Sequence, residues 1–82
     1  MSFHPVIMTP ENVTIDLHAW YKHHAEAEEQ ALRVFSAYVL SGAYRHQCGD
    51  RLVIVNINDN DSAMQQVVAE FDPSARRWYD PR

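Results

Sequence analysis

From position 13 to 20, apolar Val13, Ile15, Leu17 and Ala19 alternate with Thr14, Asp16, His18 and Trp20. A period of two is that of a strand with one buried side. From Ala27 onward the spacing changes, with Ala31, Val34, Phe35 and Tyr38 recurring at three and four residues, the stripe of an amphipathic helix. Two more alternating stretches follow, at 51–57 and 66–71, the first rich in Val and Ile. A strand period that passes into a helix period and back predicts an α+β domain. A single helix should pack on one face of a mostly antiparallel sheet of four to five strands, in ββαββ order.

The boundaries follow from local chemistry. Thr9-Pro10-Glu11-Asn12 separates two β-prone runs, 6–8 and 13–15, and reads as a hairpin turn. Pro presets φ at its second position and Asn tolerates the left-handed region at its end. Leu17, Trp20, Tyr21 and His24 also fall on the helical face of Ala31, Phe35 and Tyr38. A helix over 17–41, capped by Asp16, would run to about 37 Å, long for so small a domain. A strand to about Trp20 and a helix over 23–41 are preferred, although no Ser, Thr, Asp or Asn lies between Tyr21 and Ala25 to cap that helix. Glu26, Glu28 and Glu29 suit the positive end of its dipole, and Gly42 supplies the stop. Beyond it, 43–47 is expected as a short strand, 48–50 as a turn, 58–62 as a polar loop, 72–76 as a break and 77–79 as a last short strand. The predicted core is Val13, Ile15, Ala31, Val34, Phe35, Tyr38, Val53, Val55 and Val68. The second sheet face is left to solvent or to a partner.

Length changes the picture by setting its scale. Eighty-two residues make one domain, 1–82, near the lower limit for a self-sufficient core, so a partner or second copy could complete its apolar surface. Cys48 is the single cysteine, which excludes an internal disulfide and favours a reducing compartment. Uninterrupted apolar runs reach only four residues, as at 52–55, against the ~20 of a membrane span. Residues 1–10 show no basic stretch followed by an apolar run, so no secretory signal is visible. The expectation is a soluble cytoplasmic protein with no membrane contact. The net charge of −4 argues against direct nucleic-acid binding and suits docking on a basic surface.

Reactive chemistry finds little support. His18, His23 and His24 cluster in sequence, and His46 stands two residues from Cys48. His-x-Cys is short for a zinc pair, and adjacent His23 and His24 point to different helix faces, so polar surface histidines are the simpler reading. Asp59, Asp61 and Glu70 match positions one, three and twelve of a calcium loop, but Met64 stands where the loop needs glycine and Ala63 offers no oxygen. Cys48 with His46 lacks a third orienting group, Ser36 and Ser41 sit on no glycine-flanked elbow, and two glycines make no phosphate cradle. No catalytic, metal or cofactor site is assigned, and the chain is read as a non-enzyme.

Two surfaces remain. Arg76-Arg77-Trp78-Tyr79 is a basic and aromatic cluster, too small for a nucleic-acid interface and suited to pinning the terminal strand or, if exposed, to an interface. Glu26 and Glu29, on the helix face opposite the core, and Asp59 and Asp61 in one loop could imitate a phosphate track for a basic partner, or be no more than solvated polar surface. Size, acidity, lack of catalytic residues and the strand–helix–strands order over 13–71 resemble short proteins of phages and other mobile elements, among them anti-CRISPR inhibitors. No motif carries the resemblance, so no residue roles transfer. It implies a single-domain inhibitor, working in the host cytoplasm, that blocks a nucleic-acid-binding complex by occupying its surface. The expectation is a protein that binds a protein partner through an acidic and aromatic surface made of Trp20, Glu26, Glu29, Asp59, Asp61, Arg77, Trp78 and Tyr79. The alternatives are a homodimer or larger homo-oligomer joined through the open sheet face, and a small metal domain built on His46 and Cys48.

Overall fold

A computed structural model describes residues 2–58 and 61–81, with 58 and 61–64 given by their backbone alone. The chain runs β1 (Ser2–Met8), β2 (Thr14–Asp16), α1 (His24–Leu40), β3 (Arg51–Asn58), β4 (Asp61–Asp72) and β5 (Arg77–Tyr79). The five strands form one antiparallel sheet in the order β2-β1-β3-β4-β5, with α1 on one face. This is the predicted α+β architecture. Asp59 and Asn60 lie outside the described residues.

The hairpin joining β1 to β2 forms as its turn residues dictate. Asn12 takes φ 63° and donates its N–H to the Thr9 carbonyl at 2.9 Å, while the Thr9 hydroxyl accepts the Val13 N–H at 3.1 Å. β1 begins earlier than its sequence suggests, because Pro5 is tolerated. Phe3 exchanges both backbone hydrogen bonds with Tyr21, on the side of β1 away from β3. Alternate residues face the same way, so the N–H that Pro5 lacks falls between that bridge and the end of β2, where nothing requires it.

Four local expectations fail. The polar loop expected over 58–62 is narrower, since Asn58 ends β3 and Asp61 and Ser62 open β4. β2 stops at Asp16 instead of continuing to Trp20, because the Asp16 carboxylate accepts the His18 N–H at 2.8 Å and His18 takes φ 57°. That side chain–backbone turn competes with the ladder. Residues 43–47 form no strand. Their backbone follows side-chain bonds instead, centred on Asp50. Val13 is no core residue: it sits beside the Asn12 turn with 57% of its surface exposed.

The helix closes as predicted, at Ser41 and Gly42, whose N–H groups donate to the Ala37 and Val39 carbonyls. Its start at His23 has no side-chain cap. Ala27 and Ala31 are its buried residues, small enough to let α1 settle closely on the sheet. On this face Ile7, Leu17, Leu52, Ile54 and Ala69 are buried, and Ile15, Val34, Phe35 and Tyr38 pack around them. In β4 a bulge between the Ile54–Ala69 and Val55–Val67 pairs turns both Val68 and Ala69 toward the helix side.

The opposite face carries Val6, Val53 and Val55, with Met8, Ile57 and Val67 packed against them. No helix covers it, yet Val53 is 0% exposed. Its cover is the longer side chains of the same face. Glu70, in register with Val53, accepts bonds from Arg51 at 3.2 Å and from the Tyr79 hydroxyl at 2.5 Å. These polar groups lie beside Val53, and Met8, Ile57 and Val67 flank the rest of the row.

Candidate functional site

A helix is about 10 Å wide and strands lie about 4.8 Å apart, so one helix covers about two of five strands. α1 lies over β1 and β3, and the part of that face belonging to β4 and β5 has no second helix. The consequence is an apolar groove of about 660 Å³ beside the C-terminal half of α1. Leu32, Phe35 and Val39 form its wall and Ile7, Leu52 and Phe71 its floor. Tyr44, His46 and Asp50 close one end. Its volume falls within the range of ligand-sized clefts, and its lining is mainly apolar.

The closing loop is held by its own polar groups. The Asp50 carboxylate accepts the Tyr44 hydroxyl at 2.6 Å and the Gln47 N–H at 3.2 Å. The Tyr44 N–H donates to the Tyr38 carbonyl at the end of α1, and its ring lies 5.8 Å from that of Phe35. Gly49 makes the turn at φ 91°, close against the Pro10 ring. One loop thus ties the helix end to the first hairpin and fixes the groove's width.

Burial, then the hydrogen bond and charge of Asp50, push the Tyr44 hydroxyl up from 10 to about 12. The folded value lies above the unfolded one. The stability that the neutral hydroxyl contributes is therefore complete below about pH 10 and is lost as pH rises toward 12. In a tyrosinate absorbance titration, the Tyr44→Phe variant is expected to lose the step near pH 12. Asp50→Asn should bring that step down without abolishing its elevation, since burial is the larger cause. A wild-type titration with all four tyrosines ionising together near 10 would contradict this assignment.

The residues predicted from sequence to form one surface come from the link before α1, from α1, from the start of β4 and from β5. Trp20 is 58% exposed in the link before α1, next to Tyr21, which bridges to the start of β1. Glu26 and Glu29 are exposed on the outer side of α1. Asp61 is the first residue of β4, described by its backbone only, and Asp59 lies outside the described residues. Arg77 and Tyr79 are exposed on β5, and Glu70 holds the Tyr79 hydroxyl above its usual range mainly by that hydrogen bond. Trp78 turns the other way and packs edge-on against Phe71, with ring centroids 5.4 Å apart. It does pin the last strand to the sheet.

The histidines are also dispersed. The His24 ring stacks on Phe3 at 5.5 Å, His18 lies beside Asp16, and His46 beside Tyr44. Among the described residues, no group of three or more His, Cys, Asp or Glu side chains is placed to hold a metal ion. Among the same residues no helix is long and apolar enough to cross a membrane.

Sequence reasoning passed over Leu32 and Val39, which proved to be the groove wall. A signal was present, since these apolar residues sit seven apart on one flank of the helix, beyond the stripe needed for the sheet. Leu40, 87% exposed, widens that apolar end further. Set against protein-family models, curated proteins and solved structures, the chain has no match in any of the three.

Proposed function

We propose that this protein acts without catalysis, by binding another protein that seats apolar side chains in the groove beside α1. The observation that carries this reading is the groove itself: an apolar cleft on a small domain whose other sheet face already buries Val6, Val53 and Val55. On a small monomer, a concave apolar surface rimmed by polar residues is often a functional one. Exposed Glu26 and Glu29 add negative charge on the outer side of the same helix, in a chain of net charge −4. The sharpest form of the reading is an inhibitor that covers a basic, nucleic-acid-binding surface on its target. Self-association through the open sheet face has less to gain, because Val6, Val53 and Val55 are already out of solvent.

The test is a photo-reactive amino acid placed in cells at Val39, which is 41% exposed, and at exposed Gln65 on the opposite sheet face as control. A single protein adduct is expected from Val39 and none from Gln65. The Val39→Asp substitution, which puts a carboxylate into a desolvated groove, should weaken that interaction at least about tenfold. Equal adducts from both positions, or adducts only to the chain's own copies, would overturn the reading.

A further inference from the structure

We infer that the groove is built for an amphipathic α-helix bearing a basic flank, laid beside α1 on the exposed part of the sheet. The inference rests on the reading that a protein occupies the groove and names the shape and charge of what enters. Three features point to a helix.

The first is the pattern of the wall. Leu32, Phe35, Ser36 and Val39 stand at i, i+3, i+4 and i+7 on α1. Four residues so spaced form the diamond-shaped hole that receives one side chain from a neighbouring helix. Ser36 is small and exposed, which leaves the hole open.

The second is the accounting of backbone hydrogen bonds. The floor is the face of the sheet, at Leu52 and Phe71, and not a strand edge. An extended peptide lying there would find no ladder to pair with, and its N–H and C=O groups would be buried unsatisfied. A helix brings its own bonds. It would also cover the sheet beside α1 at Leu52 and Phe71.

The third is charge. With 3.6 residues per turn, Glu29 lies about 60° round the helix from Leu32, on the outer margin of the groove wall. Arg33 lies about 100° from Leu32 in the same rotational sense, farther from the groove. Around the groove itself Asp50 and Glu70 outnumber Arg51, so with Glu29 on the near margin the rim is net acidic, and Lys or Arg on that helix would complement it. Burial of charge excludes a second copy as the occupant. α1 is the sole helix among the described residues, and its outer face, with Glu26, Glu29 and Arg33, would have to be buried on the partner sheet.

The experiment is a selection of random 20-residue peptides against the immobilised full chain, with the Val39→Asp variant as counter-target. Recovered peptides should place apolar residues at i, i+3 or i+4, and i+7, carry Lys or Arg alongside, and gain helical circular dichroism on binding. Their affinity should fall at least about tenfold on Val39→Asp and about threefold on Glu29→Lys. Peptides with alternating apolar residues, peptides indifferent to both substitutions, or no binders at all would overturn the inference. The two failures are separable. A Val39 adduct in cells with extended peptides from the selection removes the helix and keeps the partner, whereas loss of the Val39 adduct removes the partner reading itself.

Discussion

Ile54→Ala is expected to lower the free energy of unfolding by about 2–5 kcal/mol, a large share of the roughly 5–15 kcal/mol available to a domain of this kind. Ile54 lies in the central strand, fully buried, packed with Ala27 of α1 and with Val68 and Ala69 of β4. Truncation removes three carbons where the neighbours cannot collapse inward, because two of them are already alanines and the strands are pinned in register on both sides. The loss corresponds to a fall in Tm of roughly 10–30 °C. Val13→Ala, at an exposed position beside a turn, should change stability by no more than about 0.5 kcal/mol. Urea titration followed by circular dichroism measures both. A cost for Ile54→Ala below about 1 kcal/mol would mean that α1 does not rest on β3 as described.

Gly49→Ala should be the most damaging of the loop substitutions, at about 2–4 kcal/mol. Two costs combine there. The backbone at φ 91° is one that side chains of L-residues rarely adopt, and an added Cβ would stand 2.7 Å from Cγ of Pro10. The Pro10 ring is itself fixed in the first hairpin, so it cannot swing aside. Gly42→Ala separates the two effects. It shares a positive φ, 79°, but meets nothing within 4 Å, so only the conformational cost of about 1–2 kcal/mol applies. The groove adds a second readout. Gly49→Ala should displace the loop carrying Tyr44 and Asp50, and so shift the late tyrosine titration as well as stability. Equal costs at the two glycines would show that the loop does not press on the hairpin.

Both predictions turn on contacts that a linear reading could not supply. Thr9-Pro10-Glu11-Asn12 could be read as a turn, because Pro and Asn act through their own φ preferences. Likewise 27–38 could be read as a helix, because its apolar spacing depends only on the helical repeat. The break at 72–76 behaves the same way: Asp72 accepts the N–H groups of Ser74 and Ala75, and Arg76 takes φ 55°. Leu17 is different. Its alternation with Thr14 and Asp16 suggested a continuing strand, yet one Asp16–His18 hydrogen bond ends the ladder and drops Leu17 into the core beneath α1. Tyr44 is different too, since a strand over 43–47 and an Asp50-centred loop are equally compatible with its neighbours in sequence.

What the sequence determined by itself was each element whose cause is local: the first turn, the helix and its stop, the Val-rich central strand, and the absence of any apolar run long enough to span a membrane. Only the tertiary structure decided that Trp78 turns onto Phe71 while Tyr79 meets Glu70, that Val6, Val53 and Val55 are buried on the open face, and that Leu32 and Val39 line a groove. The physical reason is that periodicity says which side of an element is apolar, whereas exposure depends on how many neighbours that side meets. One helix cannot cover five strands, and the sequence does not say which part of the sheet it leaves bare.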